Sequence, residues 1–467
     1  MSRILTDDLP FDLAVPVAIV GGGAAGLCAA LAAKEAGADP VVFERDALPQ
    51  GSTALSAGLI PAPGTAAQRA AGIADSVASF AADIQAKAQG AADPVVLCAV
   101  TEGAGPAIDW LTERHGLAFT VVADFSYPGH SARRMHGLAS RSGAELIDRL
   151  RTAAEAAGID IVTGAHVTAL VVGEGGRIRG LVVSRPDGAQ ERIGCDALVL
   201  ACNGYGGNRA LVAEHIPVLK DALYFGHPGN QGDAVLWGRA LGAELRHVGG
   251  HQGHGSVAHP HGLLVTWAVI MEGGFQIDAA GGRFWNEASG YSEAALAVLG
   301  RPGGIAFDIF DERIAAIARQ FEDFRRAEAA GAVLQAESMD ELAHRLSIPP
   351  QVIRATLESV SEFKRRRATD AFGRDWAGVT DLAPPYRAVK VTGALFHTQG
   401  GLAVDGHARV LRPGGEALPN LLAAGGAAVG VSGPEASGYL SGNGLLTAVV
   451  LGRIAGGEAA RLASAEP

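Results

Sequence analysis

An α/β fold on a parallel sheet, with a second, α+β domain inserted into it, is what three features of the sequence predict. A short apolar run, Val17 to Val20, breaks at Gly21-Gly22-Gly23-Ala24-Ala25-Gly26 and continues as an Ala-rich stretch of helical pattern. From about Gly242 to Asp381 the texture turns polar and amphipathic. Strand-and-glycine texture resumes at Val389 and closes on LLAAGG (Leu421 to Gly426) and a long apolar helix from about Gly444. The two ends of the chain are therefore expected to make one discontinuous domain, residues 1–241 and 382–467, around a cap, residues 242–381.

The elements follow in order. Val17 to Val20 is a buried strand, Leu27 to Ala36 a helix closing at Gly37, and Asp39-Pro40 turns the chain into a second buried strand, Val41 to Phe43, which ends at Glu44 and Arg45. Strand, glycine turn, helix, strand and acid make a βαβ unit with dinucleotide-binding spacing, Glu44 following Gly21 by 23 residues. Gly21 permits the tight turn, Gly23 lets a pyrophosphate approach the backbone, Ala25 and Gly26 allow close helix packing, and the Glu44 carboxylate suits ribose hydroxyls. A helix from Ser142 through Leu150 runs on towards Gly158, and strands are expected at Ile159 to Val162 and Val167 to Val172. Turns at Gly175-Gly176 and Asp187-Gly188 then join hairpin strands, and Ala197 to Ala201 returns as a buried strand ending in Cys202-Asn203-Gly204. In the cap, Ser338-x-x-Glu341 is a capping box opening MDELAHRL, and Pro349-Pro350 precedes a helix ending in Lys364-Arg365-Arg366-Arg367, a solvated, dipole-complementing terminus.

Composition narrows the class. The 467 residues carry 38 basic against 49 acidic side chains, a formal charge of −11 that argues against nucleic-acid binding by counterion release. At 48% hydrophobic residues the chain is not disordered, and its 64 glycines follow no G-X-Y period. Four scattered cysteines, Cys28, Cys98, Cys195 and Cys202, suggest neither a disulfide framework nor a zinc ribbon. No basic n-region opens the chain and no long uninterrupted apolar run occurs, so a soluble cytoplasmic protein without a transmembrane span is expected. His247, His251, His254, His259 and His261 cluster without a cysteine or carboxylate among them, in glycine-rich loop sequence, and no metal is expected there.

Nine segments, in order, resemble the flavoprotein family of fumarate reductases, succinate dehydrogenases and 3-ketosteroid dehydrogenases: GGGAAG (21–26), GSTALSAGLI (51–60), GHSARRMHG (129–137), LVLACNGYGGN (198–208), NQGDA (230–234), GGRFWNE (281–287), HTQGGL (397–402), NLLAAGG (420–426) and GYLSGNG (438–444). The resemblance implies a glutathione-reductase-type Rossmann domain that binds FAD, with its isoalloxazine at the interface with the cap. Beside the βαβ residues it assigns to FAD the small-residue stretch Ser52, Thr53, Ala57 and Gly58, the backbone of Val167 at the adenine, and Ala201, Gly204 and Asn208 where the last parallel strand ends. Gly232, Asp233, Gly425 and Gly426 follow. Asn443, Gly444 and Leu445 open the C-terminal helix, whose N–H groups and dipole suit negative charge at flavin N1/O2. Members with covalent FAD carry a histidine in the segment matching GSTALSAG; none occurs here, so noncovalent FAD is expected.

The departures bear on chemistry. The carboxylate-binding histidines of fumarate reductases match His254 and His397, and their cap threonine matches Thr266. Their proton-donating arginine falls on Tyr291, the relay Glu and Arg on Trp267 and Ile270, and the arginine clamping the second carboxylate on Tyr439. Losing bidentate guanidinium groups disfavours a dicarboxylate substrate. The same changes resemble the ketone-desaturase branch, 3-ketosteroid Δ4-(5α)-dehydrogenases and oxocyclohexanecarboxylate desaturases, where a cap tyrosine follows the NE pair and the C-terminal segment reads G-Y-x-S-G, here Gly438 to Gly442. That likeness implies Tyr439 at the carbonyl of a small cyclic ketone, Tyr291 with Ser441 in proton removal and relay, and hydride transfer to flavin N5, with an external electron acceptor. A free tyrosine titrates near pKa ~10, so a nearby cation or buried network is needed, with His397 best placed. The reverse reaction, an enone or enoate reductase with Tyr291 donating the proton, is the alternative; a flavin-binding redox protein without its own substrate is a third.

Overall fold

Leu13–Val20 and Gln190–Leu200 pair in parallel, Val17 opposite Ala197 and Val20 opposite Leu200, at the centre of the larger sheet. Pro40–Phe43 and Asp160–Val162 extend it in parallel beyond Leu13–Val20. Gln190–Leu200 changes partner along its length: Gln190 to Gly194 run antiparallel to Ile178–Ser184, and Leu198 to Leu200 run parallel to Ala417–Ala423. His166–Val172 and Arg3–Leu5 complete the far side. The computed structural model describes residues 3–123 and 127–465.

This sheet belongs to the first of two units, Met1–Pro217 with Gly226–His251 and His397–Pro467; the second comprises Val218–Phe225 and Gln252–Phe396. These borders differ from the sequence expectation for a physical reason. Leu245–Arg246 pairs with Gly401–Leu402, which keeps residues 242–251 with the first unit. Tyr386–Thr398 pairs along Ile305–Asp311, from Ile305 opposite Thr392 to Asp311 opposite Tyr386, which carries residues 382–396 into the second.

In the first unit the helix Ala24–Glu35 begins three residues before the expected start at Leu27. Gly23 is extended at its N-cap, and the Thr53 hydroxyl oxygen accepts the Ala24 N–H at 3.0 Å, so a side chain from a distant loop supplies the missing cap. This helix packs on the C-terminal helix Asn443–Ser464, where a Cβ at Gly452 or Gly456 would collide with the carbonyls of Ala25 and Ala29. Among the described residues no helix is long and apolar enough to cross a membrane.

In the second unit a mixed sheet runs in the order Leu263–Leu264, His251–Ala258, Tyr386–Thr398, Ile305–Asp311 and Phe275–Ile277. Helix Met339–Leu346 starts at the expected residue, and Pro350–Arg366 takes in Pro350, one residue before the expected start. Only half of the capping box forms: Ser338 accepts the Glu341 N–H at 3.2 Å, while the Glu341 side chain turns to the Glu337 N–H and Arg345. Lys364 corrects the picture of a solvated helix end. It is buried on the face of Ile353 and Val360, its Nζ donates to the carbonyls of Gly273 at 2.8 Å and Thr380 at 3.1 Å, and burial pushes its pKa down to about 8.

Candidate functional site

The three motif glycines divide by physical cause. Gly21 has φ +107°, and a Cβ there would stand 2.6 Å from the Ala201 carbonyl oxygen. A Cβ on Gly26 would collide with the Gly21 carbonyl. Gly23 is different: its φ of −77° suits any residue, and an added Cβ would meet the Thr53 hydroxyl at an ordinary 3.5 Å. Neither strain nor packing demands glycine there, so the space beside the helix N-terminus fits a group that approaches the backbone. Glu44, buried at the end of its strand, accepts N–H groups from Gly22 at 2.7 Å and Asp46 at 2.9 Å. Arg45 donates to the Gly229 carbonyl at 3.0 Å, and Asn230 donates to the Ser52 hydroxyl at 2.8 Å.

The other expected cofactor residues fall around this cradle in varied ways. Ala57 is exposed and Gly58 buried with φ +65°. Val167 is buried at a register shift in its strand, and the Ala201 N–H donates to Val20. Asn208 caps the helix Arg209–His215 and donates to the Gln231 carbonyl. The Gly232 N–H donates to the Gly204 carbonyl, and Asp233 opens the helix that follows. Gly425 has φ +59°. Gly444 and Leu445 are half-buried beside the fully buried Asn443, whose Oδ1 has no hydrogen-bond partner among the described residues. A buried acceptor left bare is costly, and with the open cradle at Gly23 it fits a bound FAD: the Gly21–Gly26 turn, Glu44, Thr53 and the Asn443–Leu445 helix start would hold it.

In the first unit, His397, Gln399, Tyr439 and Asn443 converge. A Cβ built on Gly444 would lie 3.7 Å from the Tyr439 hydroxyl, 3.8 Å from Gln399 Nε2 and 4.0 Å from His397 Nδ1; one on Gly426 would lie 3.0 Å from His397 Nε2. Gln399 Nε2 donates to His397 Nδ1 at 2.7 Å, which leaves the ring proton on Nε2. Burial pushes His397 down to about 4, so it enters this cluster as part of a buried network and not as a cation. Ser441 is buried, and its carbonyl accepts from His130 Nε2 at 3.0 Å.

In the second unit, His254 sits between two rings. It stacks on Tyr291 with centroids 5.0 Å apart and on Phe396 at 5.2 Å, and Phe396 stacks on Phe225 at 4.6 Å. Trp267 meets His254 edge-on at 5.7 Å, and its buried indole N–H has no partner among the described residues. His254 Nδ1 accepts the Ser256 N–H at 3.1 Å, and burial pushes its pKa down to about 3. Tyr291 opens the helix Tyr291–Leu299 after Gly290, whose φ of +135° favours glycine. Half-buried Thr266 turns its hydroxyl to the Ala268 N–H at 3.4 Å.

The guanidinium groups around Glu287 are committed to folding. Arg283 and Arg374 both pair with the buried Glu287, at 2.6 and 3.2 Å. Arg283 also pairs with Asp370, and Arg374 donates to the carbonyls of Gly274 and Ile270. Sequence reasoning had not singled out Gln399, Phe225 or Phe396. Only Gln399 carried a signal, lying two residues beyond His397 in HTQGGL, so that both side chains can face one side of an extended segment.

Comparison with known proteins agrees with the cradle. A family model described as "FAD binding domain" matches residues 16–445. The chain is 30% identical over 445 residues to a probable fumarate reductase, Ifc3, of Shewanella frigidimarina (strain NCIMB 400), covering 95% of this chain and 74% of that one. It is 24% identical over 537 residues to a 4-oxocyclohexanecarboxylate 2-dehydrogenase of Sinomonas cyclohexanicum, covering 91% and 92% of the two chains. Among solved structures, the open conformation of a flavocytochrome c3 fumarate reductase superposes with a TM-score of 0.81 at 29% identity, covering 97% of this chain and 79% of that one. The glycine turn, the bare carboxamide oxygen of Asn443 and these likenesses lead to one conclusion: the chain belongs to the FAD binding domain family, as a flavoprotein oxidoreductase related to the fumarate reductases, and its cofactor is FAD.

Proposed function

We propose that this chain oxidises a saturated cyclic ketone to its α,β-enone. FAD, when bound, supplies the acceptor for the hydride. The observation that carries the reading is electrical. Burial pushes the pKa of His254 and His397 well below 6.5, the resemblance matches Tyr291 and Tyr439 to arginines of the fumarate reductases, and Arg283 and Arg374 are bound to Glu287. A dicarboxylate needs cations in fixed geometry, whereas a ketone needs only a hydrogen-bond donor. The likeness to a 4-oxocyclohexanecarboxylate 2-dehydrogenase supports a cyclic ketone, with a single carboxylate left open.

In this reading the Tyr439 hydroxyl donates to the carbonyl and so acidifies the α-hydrogen. Tyr291 with Ser441 takes the α-proton; the C–H electron pair becomes the new double bond as the β-hydrogen leaves with its own pair. An external acceptor then removes the two electrons. The 30% identity to a probable fumarate reductase favours a second reading, reduction of an enone or enoate, in which Tyr291 gives the proton back.

An anaerobic experiment separates them. A 3-ketosteroid or substituted cyclohexanone should bleach the flavin absorbance, and fumarate should leave the chemically reduced enzyme unoxidised. Rapid reoxidation by fumarate with no bleaching by any ketone would hand the assignment to the reductase reading.

A further inference from the structure

In the first unit a directional hydrogen-bond chain runs into His397. Asn443 Nδ2 donates to the Ser432 hydroxyl at 3.1 Å, the Ser432 hydroxyl donates to Gln399 Oε1 at 3.1 Å, and Gln399 Nε2 donates to His397 Nδ1 at 2.7 Å. Within this series the Ser432 hydroxyl accepts from Asn443 and donates to Gln399, and the Gln399 amide accepts at Oε1 and donates at Nε2, so the amide at 399 meets the ring with hydrogen and not with oxygen. The backbone of Gln399 is pinned as well: its N–H donates to Gly250 and its carbonyl accepts from Gly430, both at 2.8 Å. Gln399, Ser432 and Asn443 are all buried, so water does not compete for these groups.

We infer that Gln399 is a specificity-determining positioning residue: by donating to Nδ1 it keeps His397 a neutral ring with its proton on Nε2, and so withholds the positive charge that a dicarboxylate substrate would require. The inference deepens the ketone reading and rests on it for the substrate class. An imidazolium would need an acceptor at Nδ1, and the amide there presents a donor. Burial is the resolved cause of the low His397 pKa, and Tyr439 is an ionisable side chain that, like the ring, lies close to Gly444. A carboxylate in place of the amide would reverse the sense of the bond and charge the ring.

The test uses FAD-loaded protein labelled with 15N-histidine, with His397→Asn to assign the ring. In the natural sequence His397 should stay singly protonated on Nε2 from pH 8 down to 5. In Gln399→Glu it should be doubly protonated at pH 6, and succinate, followed by the flavin absorbance change, should bind at least 10-fold more tightly than to the natural sequence. In Gln399→Met, which removes the donor without adding charge, the Nδ1–H tautomer should become populated. A charged His397 in the natural sequence at pH 7, a ring still neutral in Gln399→Glu, an unmoved tautomer in Gln399→Met, or unchanged succinate affinity would each overturn the inference. Failure of ketones to bleach the flavin, with the ring shifts as stated, would instead refute the ketone reading and leave control of His397 by Gln399 standing.

Discussion

His130 Nε2 donates to the carbonyl oxygen of Ser441 at 3.0 Å, 311 residues further along the chain. The ring is held from behind: Arg134 Nη1 lies 3.4 Å from His130 Nδ1, and Arg134, fully buried, pairs with Asp75 at 2.9 Å and also with Asp83. The residues after Tyr439 are thus tied to the helix Val77–Lys87 through the fully buried Arg134 and its partner Asp83. Replacing Arg134 with Met should leave Asp75 and Asp83 uncompensated and cost about 3–5 kcal/mol. Urea unfolding followed by circular dichroism checks this, with a clear fall in midpoint expected.

Gly23 and Gly26 should fail in different ways. Gly26→Ala drives a methyl into the Gly21 carbonyl and should lower the yield of folded protein. Gly23→Val has room at its Cβ and should fold, but its side chain would occupy the pyrophosphate's approach. Purified Gly23→Val should show normal far-ultraviolet circular dichroism and at least a tenfold lower flavin-to-protein absorbance ratio. A yellow, fully loaded variant would remove Gly23 from the cradle.

FAD should be released intact by acid. The GSTALSAG segment offers no histidine for a covalent link, so precipitation should leave the yellow colour in the supernatant and no flavin fluorescence on the denatured chain in a gel.

Tyr291→Phe keeps the ring that stacks on His254 and removes the hydroxyl. Flavin reduction by ketone should slow by about 10²-fold or more, as for loss of a general acid–base group, with FAD content unchanged. Stopped-flow absorbance at the flavin band measures it, and a natural rate with every ketone would make Tyr291 a packing residue.

Acid should weaken the fold through its buried histidines. His254, His130 and His397 are pushed down to about 3, 4 and 4 from an ordinary 6.5, by burial in each case and for His130 also by the Arg134 charge. Each binds a proton more readily unfolded than folded, so stability is full above about pH 6.5 and falls as the pH drops towards 4. Each ring adds a slope of about 1.4 kcal/mol per pH unit in that window. Unfolding midpoints from pH 7 to 5 should therefore fall steeply, and His254→Gln should reduce the slope by one proton.

The βαβ unit could be read from the chain because its cause is local. A turn that only glycine tolerates at Gly21, a helix that must pass close to it at Gly26, and an acid ending the next strand all lie in one short stretch, each leaving a residue-type signature. The hairpins around Gly175-Gly176 and Asp187-Gly188 were legible for the same reason. The helix start at Ala24 was not, because its cap comes from Thr53, and the burial of Lys364 was not, because the carbonyls of Gly273 and Thr380 that receive it are supplied by other elements. The stack of Phe225, Phe396, His254 and Tyr291, and the direction of the chain from Asn443 to His397, join residues with no common period or motif. Residue types along the chain limit which side chains can do chemistry; the protonation state each holds depends on how much water and which partner the packed structure leaves it, and that is settled only when distant segments meet.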